Sequence, residues 1–239
     1  VMYNGESVDL GSLPSFTSNE DEVDIGLTSA NDYLNFTSSD DVEFYVEWTP
    51  GDDVIEGSTA SNFELCFDFG QYYWALPSES RVANSQGLTI DNSSGTFVVN
   101  TGFGTTTVVG ASRIEGTPLN DTFIGSASRE KFEVGGGTDV VTGGAGIDTF
   151  EDISALGGIH GGEQTKLTIT DYESYEEIEF EAWGDYSYGF TKADIESQFS
   201  IRYDEASQQT LLSINTDKVN KQDFVVLANG QFELSHYSL

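Results

Sequence analysis

An acidic residue returns every nine positions between residues 116 and 151, at Asp121, Glu130, Asp139 and Asp148. An apolar residue follows each acid two places later, at Phe123, Phe132, Val141 and Phe150. In phase the segment reads GTPLNDTFI, GSASREKFE, VGGGTDVVT and GGAGIDTFE. Self-similarity at a short fixed period marks repeat architectures, in which one unit is too small to bury its own apolar face and must stack on its neighbours. With 41 acids in 239 residues and 37% apolar side chains, eight such matches have a chance probability of roughly 2 in 100,000 per starting point.

The units resemble the RTX nonapeptide, glycine-glycine-x-glycine-x-aspartate-x-apolar-x, a calcium-binding repeat of parallel β-helices. Residues 143–151 match every fixed position, and residues 134–142 depart only at the first glycine. Residues 116–124 and 125–133 keep the first glycine, the acid and the aromatic but lose the inner glycines. The resemblance implies an all-β fold: a parallel β-roll, or right-handed β-solenoid, with flanking antiparallel strands as a C-terminal cap. In such a roll two units make one coil, stacking partners lie eighteen residues apart, and calcium sits between turns of the same face. Glycines let the six-residue turn take positive φ and aim carbonyls inward, while the carboxylate adds a hard, charged oxygen donor.

On that pattern Asp121 and Asp139 are expected around one ion, with carbonyls near Gly135 and Gly137. Glu130 and Asp148 are expected around a second, near Gly144 and Gly146. Glu130 is one methylene longer than the pattern asks, and Ser126 and Ser128 stand where glycines should bend its turn. Phe123, Phe132, Val141 and Phe150 should stack as an internal ladder. Paired carboxylates would repel without a cation, so folding and calcium binding should be coupled.

Charge agrees with this reading. The acids outnumber 9 basic residues, for a net charge of −32, and self-repulsion on that scale opposes compaction unless cations balance it. A polyanionic nucleic acid is excluded as a partner, and anionic membranes repel the chain. No run approaches the roughly 18 apolar residues that span a bilayer, so no membrane insertion is expected. The lone cysteine, Cys66, has no disulfide partner within the chain; Phe63, Leu65, Phe67 and Phe69 alternate with Glu64 and Asp68 around it as in a strand with one buried face, and Cys66 is expected as a core thiol. The opening Val1-Met2-Tyr3 carries no basic leader, and the chain is expected to be an excised fragment.

Three regions follow. Residues 1–104 form a β-rich N-terminal region, read as extended coils of the roll, with strand signals at Val23-Asp24-Ile25, Tyr33-Leu34-Asn35-Phe36, residues 42–48, Leu88-Thr89-Ile90 and residues 96–99. Within it Gly51-Asp52-Asp53-Val54-Ile55-Glu56-Gly57 echoes the closing half of a nonapeptide. Residues 105–156 hold the roll, with Ile114 falling in the apolar eighth place ahead of the first unit. Residues 157–239 are the cap. Residues 167–180 resemble the strand, acidic turn and strand that follow the roll in serralysin-type secreted proteins, residues 200–204, 210–215 and 223–227 resemble that family's final antiparallel strands, and residues 230–239 resemble its uncleaved export signal. The resemblance implies type I secretion machinery as a partner and an extracellular location. One short helix is expected, at residues 191–199, capped by Thr191.

No catalytic site is expected. His160 and His236 are too isolated for a zinc protease, and neither His-Glu-x-x-His nor Gly-x-Ser-x-Gly occurs. With 41 carboxylates any acid pair could be drawn as a glycosidase, so none is singled out. Two other readings stay open. The chain could be a polysaccharide-binding or adhesin module, similar to the rolls attached to alginate epimerases, with Tyr72, Tyr73, Trp74, Trp48 and Trp183 as candidate contacts, or a carbohydrate-active enzyme whose site lies in residues 1–104.

Overall fold

The computed structural model describes residues 2–3, 6–7, 15–18, 22–36, 43–57, 64–68, 86–100, 103–152, 166–180, 199–214, 223–232 and 237–238. These are all-β, with parallel and mixed sheets and no helix among the described residues. Most of the helix expected at residues 191–199, the aromatic group Tyr72, Tyr73, Trp74 and Trp183, the Cys66 side chain and both histidines lie outside what is described.

Each nonapeptide contributes one short strand: Asn120–Ile124, Lys131–Val134, Thr138–Thr142 and Thr149–Asp152. The four do not pair in sequence order. Asn120–Ile124 joins Thr138–Thr142 in one sheet, while Lys131–Val134 joins Thr149–Asp152 in another, both parallel. The register places Phe123 beside Val141 and Phe132 beside Phe150, so each apolar residue meets its counterpart eighteen positions away. Strand Arg113–Glu115 extends the second sheet in the same register, with Ile114 beside Phe132. Alternation of side chains along a strand then sends every eighth-place residue to one face.

Beyond the repeats the alternation continues with longer excursions. Lys166–Ile169 pairs parallel with Thr138–Thr142, and Glu177–Phe180 pairs parallel with Thr149–Asp152, with Ile169 beside Val141 and Ile178 beside Phe150. These two strands, which fall in the region expected as the cap, each extend a different sheet in register, because Leu167, Ile169 and Ile178 present the same alternating apolar pattern as the repeats. The expected antiparallel strands are present as Ser200–Asp204, Gln209–Ile214 and Asp223–Leu227, the last of which pairs parallel with Lys166–Ile169.

Upstream the spacing changes to twenty-one residues. Glu22–Gly26, Glu43–Glu47 and Glu64–Asp68 are parallel neighbours with Ile25, Val46 and Phe67 in one row, and Tyr33–Asn35 and Asp53–Glu56 pair in a further sheet with Leu34 beside Ile55. Strand Glu64–Asp68 then pairs with Arg113–Glu115, so one nine-stranded sheet runs from the N-terminal region into the repeats.

The interior is one apolar cluster. Ile114, Phe123, Phe132, Val141, Phe150, Ile169 and Ile178 are each 0% exposed. Phe123 and Phe132 approach across the sheets at 5.9 Å between ring centroids, Phe132 and Phe150 stack at 6.0 Å, and Phe150, Tyr172 and Phe232 carry the ladder on at 6.4 and 5.0 Å. Burying a phenylalanine side chain contributes about 1.5–3 kcal/mol, so this column supplies much of the driving force that holds the glycine-rich turns on either side of it.

Candidate cation-binding turns

The turns linking these strands stack as closely as the strands do, and glycine is what allows it. A Cβ on Gly135 or Gly137 would lie 2.4 Å from the Thr117 carbonyl oxygen or 2.6 Å from that of Leu119, and one on Gly144 or Gly146 would lie 2.1 Å from the Ser126 oxygen or 2.4 Å from that of Ser128. Gly137 and Gly144 also take φ of +115° and +95°, values that L side chains rarely adopt. Main-chain oxygens of one turn therefore press on the glycines of the turn eighteen residues later. The Gly137 carbonyl itself accepts the Lys166 amide at 3.0 Å.

All four repeat acids are buried, with Asp121 and Asp139 1% exposed, Glu130 2% and Asp148 0%. A main-chain amide links the members of each pair eighteen residues apart. The Asp121 amide donates to Asp139 Oδ1 at 2.7 Å, and the Glu130 amide donates to Asp148 Oδ1 at 2.9 Å.

Their remaining oxygens differ in chemistry. Asp121 is closed by its own turn and by the strand below: Oδ2 accepts the Thr117 amide at 2.6 Å and Oδ1 the Leu88 amide at 2.7 Å, while Thr117 Oγ1 lies 2.9 Å from both. Glu130 is closed likewise, by the Ser126 amide at 2.6 Å and Asn92 Nδ2 at 2.5 Å; the extra methylene lets it reach Asn92, 38 positions away. In the Asp139 turn the place of Thr117 is taken by Gly135, which has no hydroxyl to offer. In the Asp148 turn the amides of Gly143 and Gly144 donate instead to Asp171, each at 2.9 Å, so Asp148 gains no amide from its own turn and has the Glu176 side chain as a hydrogen-bond neighbour.

Burial raises the proton affinity of these groups. It pushes Asp121 and Asp148 up to about 6 and raises Glu130 as well, with Asp171 adding its negative charge at Asp148. The opposing effect comes from the amide donors, which favour the charged form.

Three acids outside the nine-residue run, one of them Asp53 of the echo at residues 51–57, belong to the same architecture. Thr28 to Asp32, Thr49 to Asp53 and Thr117 to Asp121 share the pattern Thr-x-x-Asn/Asp-Asp. Thr28 donates to Asp32 Oδ2 through its amide and its hydroxyl, both at 2.7 Å, and Thr49 Oγ1 reaches Asp53 Oδ2 at 3.4 Å. The Asp32 amide donates to Asp53 Oδ1 at 2.9 Å, as Asp121 does to Asp139. Even the penultimate residue repeats its role: Asn31 Oδ1 accepts the Asp52 amide and Asn120 Oδ1 accepts the Thr138 amide. The third acid, Glu176, precedes Glu177, which pairs with Thr149, so it occupies the place above Asp148. It is 3% exposed, and burial, with Asp148 and Asp171 nearby, pushes its carboxyl up to about 7.

A second carboxylate row lies on the opposite face of the nine-stranded sheet from the aromatic ladder. Glu115, Glu133, Glu151 and Glu179 are register neighbours. Like charges facing one another in a sheet destabilise it unless balanced. Lys131 Nζ sits 2.8 Å from Glu151, 2.8 Å from Glu179 and 3.5 Å from Glu133, and Arg113 Nε sits 2.5 Å from Glu133. Burial pushes Glu133 up to about 8. Tyr45 Oη donates to Glu115 Oε2 at 2.5 Å, tying this row to strand Glu43–Glu47.

Among the described residues no three carboxylate, imidazole or thiol groups converge as metal ligands. A cation at the turns would therefore rest on main-chain oxygens plus one or two carboxylates, a donor set that suits calcium. Asp148 needs such a partner, since it is 0% exposed, lies beside the acids Glu176 and Asp171, and a buried anion with little compensation costs several kcal/mol. The described residues include no helix long and apolar enough to cross a membrane. In comparisons with known proteins, no family model matches this chain and no curated protein does.

Proposed function

We propose that this chain is a calcium-binding β-roll, a right-handed parallel solenoid completed by the antiparallel strands at residues 200–227, and that it serves as a folding and export module of a larger protein secreted through type I machinery. Support comes from the parallel pairing at a step of eighteen residues, from strands that alternate between two sheets, and from turns whose glycines press on the carbonyls beneath them. The observation that carries the calcium assignment is the buried acid pair Asp148 and Glu176, 0% and 3% exposed, beside the repeat that keeps every glycine.

Asp148, with main-chain oxygens around Gly144 and Gly146 and Glu130 beside it, would hold one ion. Asp139, with those around Gly135 and Gly137 and Asp121 beside it, would hold another. A bound calcium supplies positive charge where burial has raised the carboxyl proton affinities, and it offsets part of a net charge of −32. The chain's residues supply the scaffold: the aromatic ladder fixes the register, and the register fixes the turn spacing. At the low calcium of a cytosol, repulsion among buried acids disfavours the fold; at the higher calcium outside the cell the fold is favoured. No catalysis is assigned to the chain itself.

Circular dichroism with and without calcium tests this reading. The expected result is a transition from coil to β structure on adding calcium, with mass spectrometry under native conditions detecting bound ions. A chain equally folded in excess chelator, with no calcium retained, would overturn it.

A further inference from the structure

Gly51, Gly104, Gly137 and Gly146 hold one place in their turns, two residues before Asp53, Thr106, Asp139 and Asp148. A Cβ on Gly137 or Gly146 would overlap the main-chain oxygen of Leu119 or Ser128 in the turn beneath, and one on Gly51 or Gly104 would overlap that of Ala30 or Gly51. All four take positive φ, between +115° and +149°. The turns before Asp53 and Thr106 are therefore built as the repeat turns are, although they lie in coils without the nine-residue step.

Register sets Asp32, Asp53 and Thr106 in one row. The Asp32 amide donates to Asp53 Oδ1 at 2.9 Å, and Asp53 is the parallel neighbour of Thr106. Both side chains point inward: Asp53 is 2% exposed and Thr106 1%, and two places along their strands Ile55 and Val108 belong to the core. Paired strands lie about 4.8 Å apart, so the carboxylate and the hydroxyl stand side by side. The turns are tied as well, with the Thr105 amide donating to Asp52 Oδ1 at 2.9 Å and the Gly51 amide to the Phe103 carbonyl at 3.1 Å. At one end of the row Asp32 Oδ2 is closed by the amide and hydroxyl of Thr28. At the other end Thr106 Oγ1 is buried with no hydrogen-bond partner. Between them Asp53 Oδ2 receives the Thr49 hydroxyl at 3.4 Å, too long for a strong bond. Burial pushes the Asp53 carboxyl up to about 6, with Asp32 and Asp52 adding negative charge.

A buried carboxylate with weak compensation, a partnerless hydroxyl beside it and main-chain oxygens in the stacked turns make a set of hard oxygen donors. We infer, on the same reading that makes the repeat turns calcium sites, that Asp53 and Thr106 hold a further calcium ion between the turns ending at residues 53 and 106, outside the nonapeptides. Asp53 supplies the charge and Thr106 Oγ1 a neutral oxygen. In the corresponding place beside Asp139 the register neighbour is Leu167, which has no side-chain oxygen to give. A buried water would satisfy the hydroxyl but bring no positive charge to the carboxylate, whereas calcium does both. The coils that precede the repeats then take the order of their turns from calcium too.

The test counts bound calcium on the full chain by native mass spectrometry and measures its affinity by calorimetric titration, with circular dichroism reporting the fold of each variant. Asp53→Asn keeps the shape of the side chain and should bind one ion fewer than the wild type. Thr106→Val removes only the hydroxyl and should weaken one ion at least about tenfold, the loss common for even an outer-shell partner of a metal. Valine suits a strand and leaves no polar atom stranded, so a weakened ion in that variant is not a weakened fold. Thr107→Val, on the same strand but facing outward, should bind calcium as the wild type does. The effect of Asp53→Asn should add to that of Asp148→Asn, because the two residues serve different ions. Wild-type calcium binding in Asp53→Asn or in Thr106→Val would overturn this site and leave the repeat ions standing, as would a double variant no weaker than Asp148→Asn alone. A wild-type chain that holds no calcium would overturn both.

Discussion

The Glu130 amide reaches Asp148 Oδ1 at 2.9 Å across eighteen residues of chain, yet Asp148 gains no amide from its own turn, because Asp171 holds those of Gly143 and Gly144, and its side-chain neighbour is another acid, Glu176. Asp121, in the corresponding place on the other face, has both oxygens closed by Thr117 and Leu88. The two aspartates should therefore answer differently to the same change. Asp148→Asn should lower calcium affinity at its site at least about tenfold, the loss common for even an outer-shell partner of a metal. Asp121→Asn should leave that site's affinity unchanged and cost folding stability of about 1–3 kcal/mol from weakened charged hydrogen bonds. Calorimetric calcium titration alongside thermal denaturation separates the two effects, and equal loss of calcium affinity in both variants would contradict the distinction.

Gly144 and Gly95 both take positive φ, +95° and +76°, but only Gly144 lies under another turn. A Cβ at Gly144 meets the Ser126 carbonyl oxygen at 2.1 Å, while one at Gly95 meets nothing within 4 Å. Gly95→Ala should cost only the backbone strain of about 1–2 kcal/mol. Gly144→Ala adds a clash with main-chain oxygen that cannot rotate away, and it should cost clearly more and weaken calcium binding as well. Chemical denaturation of both variants provides the comparison; equal losses would mean that the turns are not pressed together.

The repeats were legible because acid, apolar residue and strand all keep one nine-residue step, so the pairing of Ile114, Phe132 and Phe150 followed from counting. Asp53 was visible as part of the echo at residues 51–57, but its partner Asp32 escaped because their step is twenty-one, and the signal that finds it is local: a threonine four places before the acid, ready to donate to it. Glu176 escaped for a related reason, since a twenty-eight-residue excursion separates it from Asp148 and only strand register shows that it lies above it. In the glutamate row Glu115, Glu133 and Glu151 sit in the ninth place of the pattern, where any residue is tolerated, and Glu179 lies beyond the repeats. The row's meaning appears only when Lys131 is seen to bridge it.

Phe132 touches both neighbours in the ladder, Phe123 at 5.9 Å and Phe150 at 6.0 Å, and is 0% exposed. Phe132→Ala removes the middle of a column fixed on both sides by parallel sheets, where the backbone has little room to collapse into the void. The expected loss is about 3–5 kcal/mol, and Phe132→Leu should recover most of it. Guanidinium denaturation at saturating calcium measures both, and a loss under about 1 kcal/mol for alanine would show that the ladder is not the principal core.

Glu133 carries a proton affinity raised from 4.5 to about 8, chiefly by burial, with Glu151 opposing ionisation and Arg113 favouring it. Between those two values the folded chain holds a proton that the unfolded chain has released. Stability from this group is therefore full below about pH 4.5, falls as pH rises through about 8, and changes little beyond it. Asp121, Asp148 and Glu176 are also raised, so the wild-type slope is shared, and the comparison with Glu133→Gln isolates one contribution. Glutamine keeps the shape and has no proton to lose. Its absolute melting temperature is a poor guide, because the change also removes the ion pair with Arg113. The slope is the readout: at saturating calcium the wild-type melting temperature should fall more steeply between pH 6 and about 8.5 than that of the variant, and parallel curves would place the proton elsewhere.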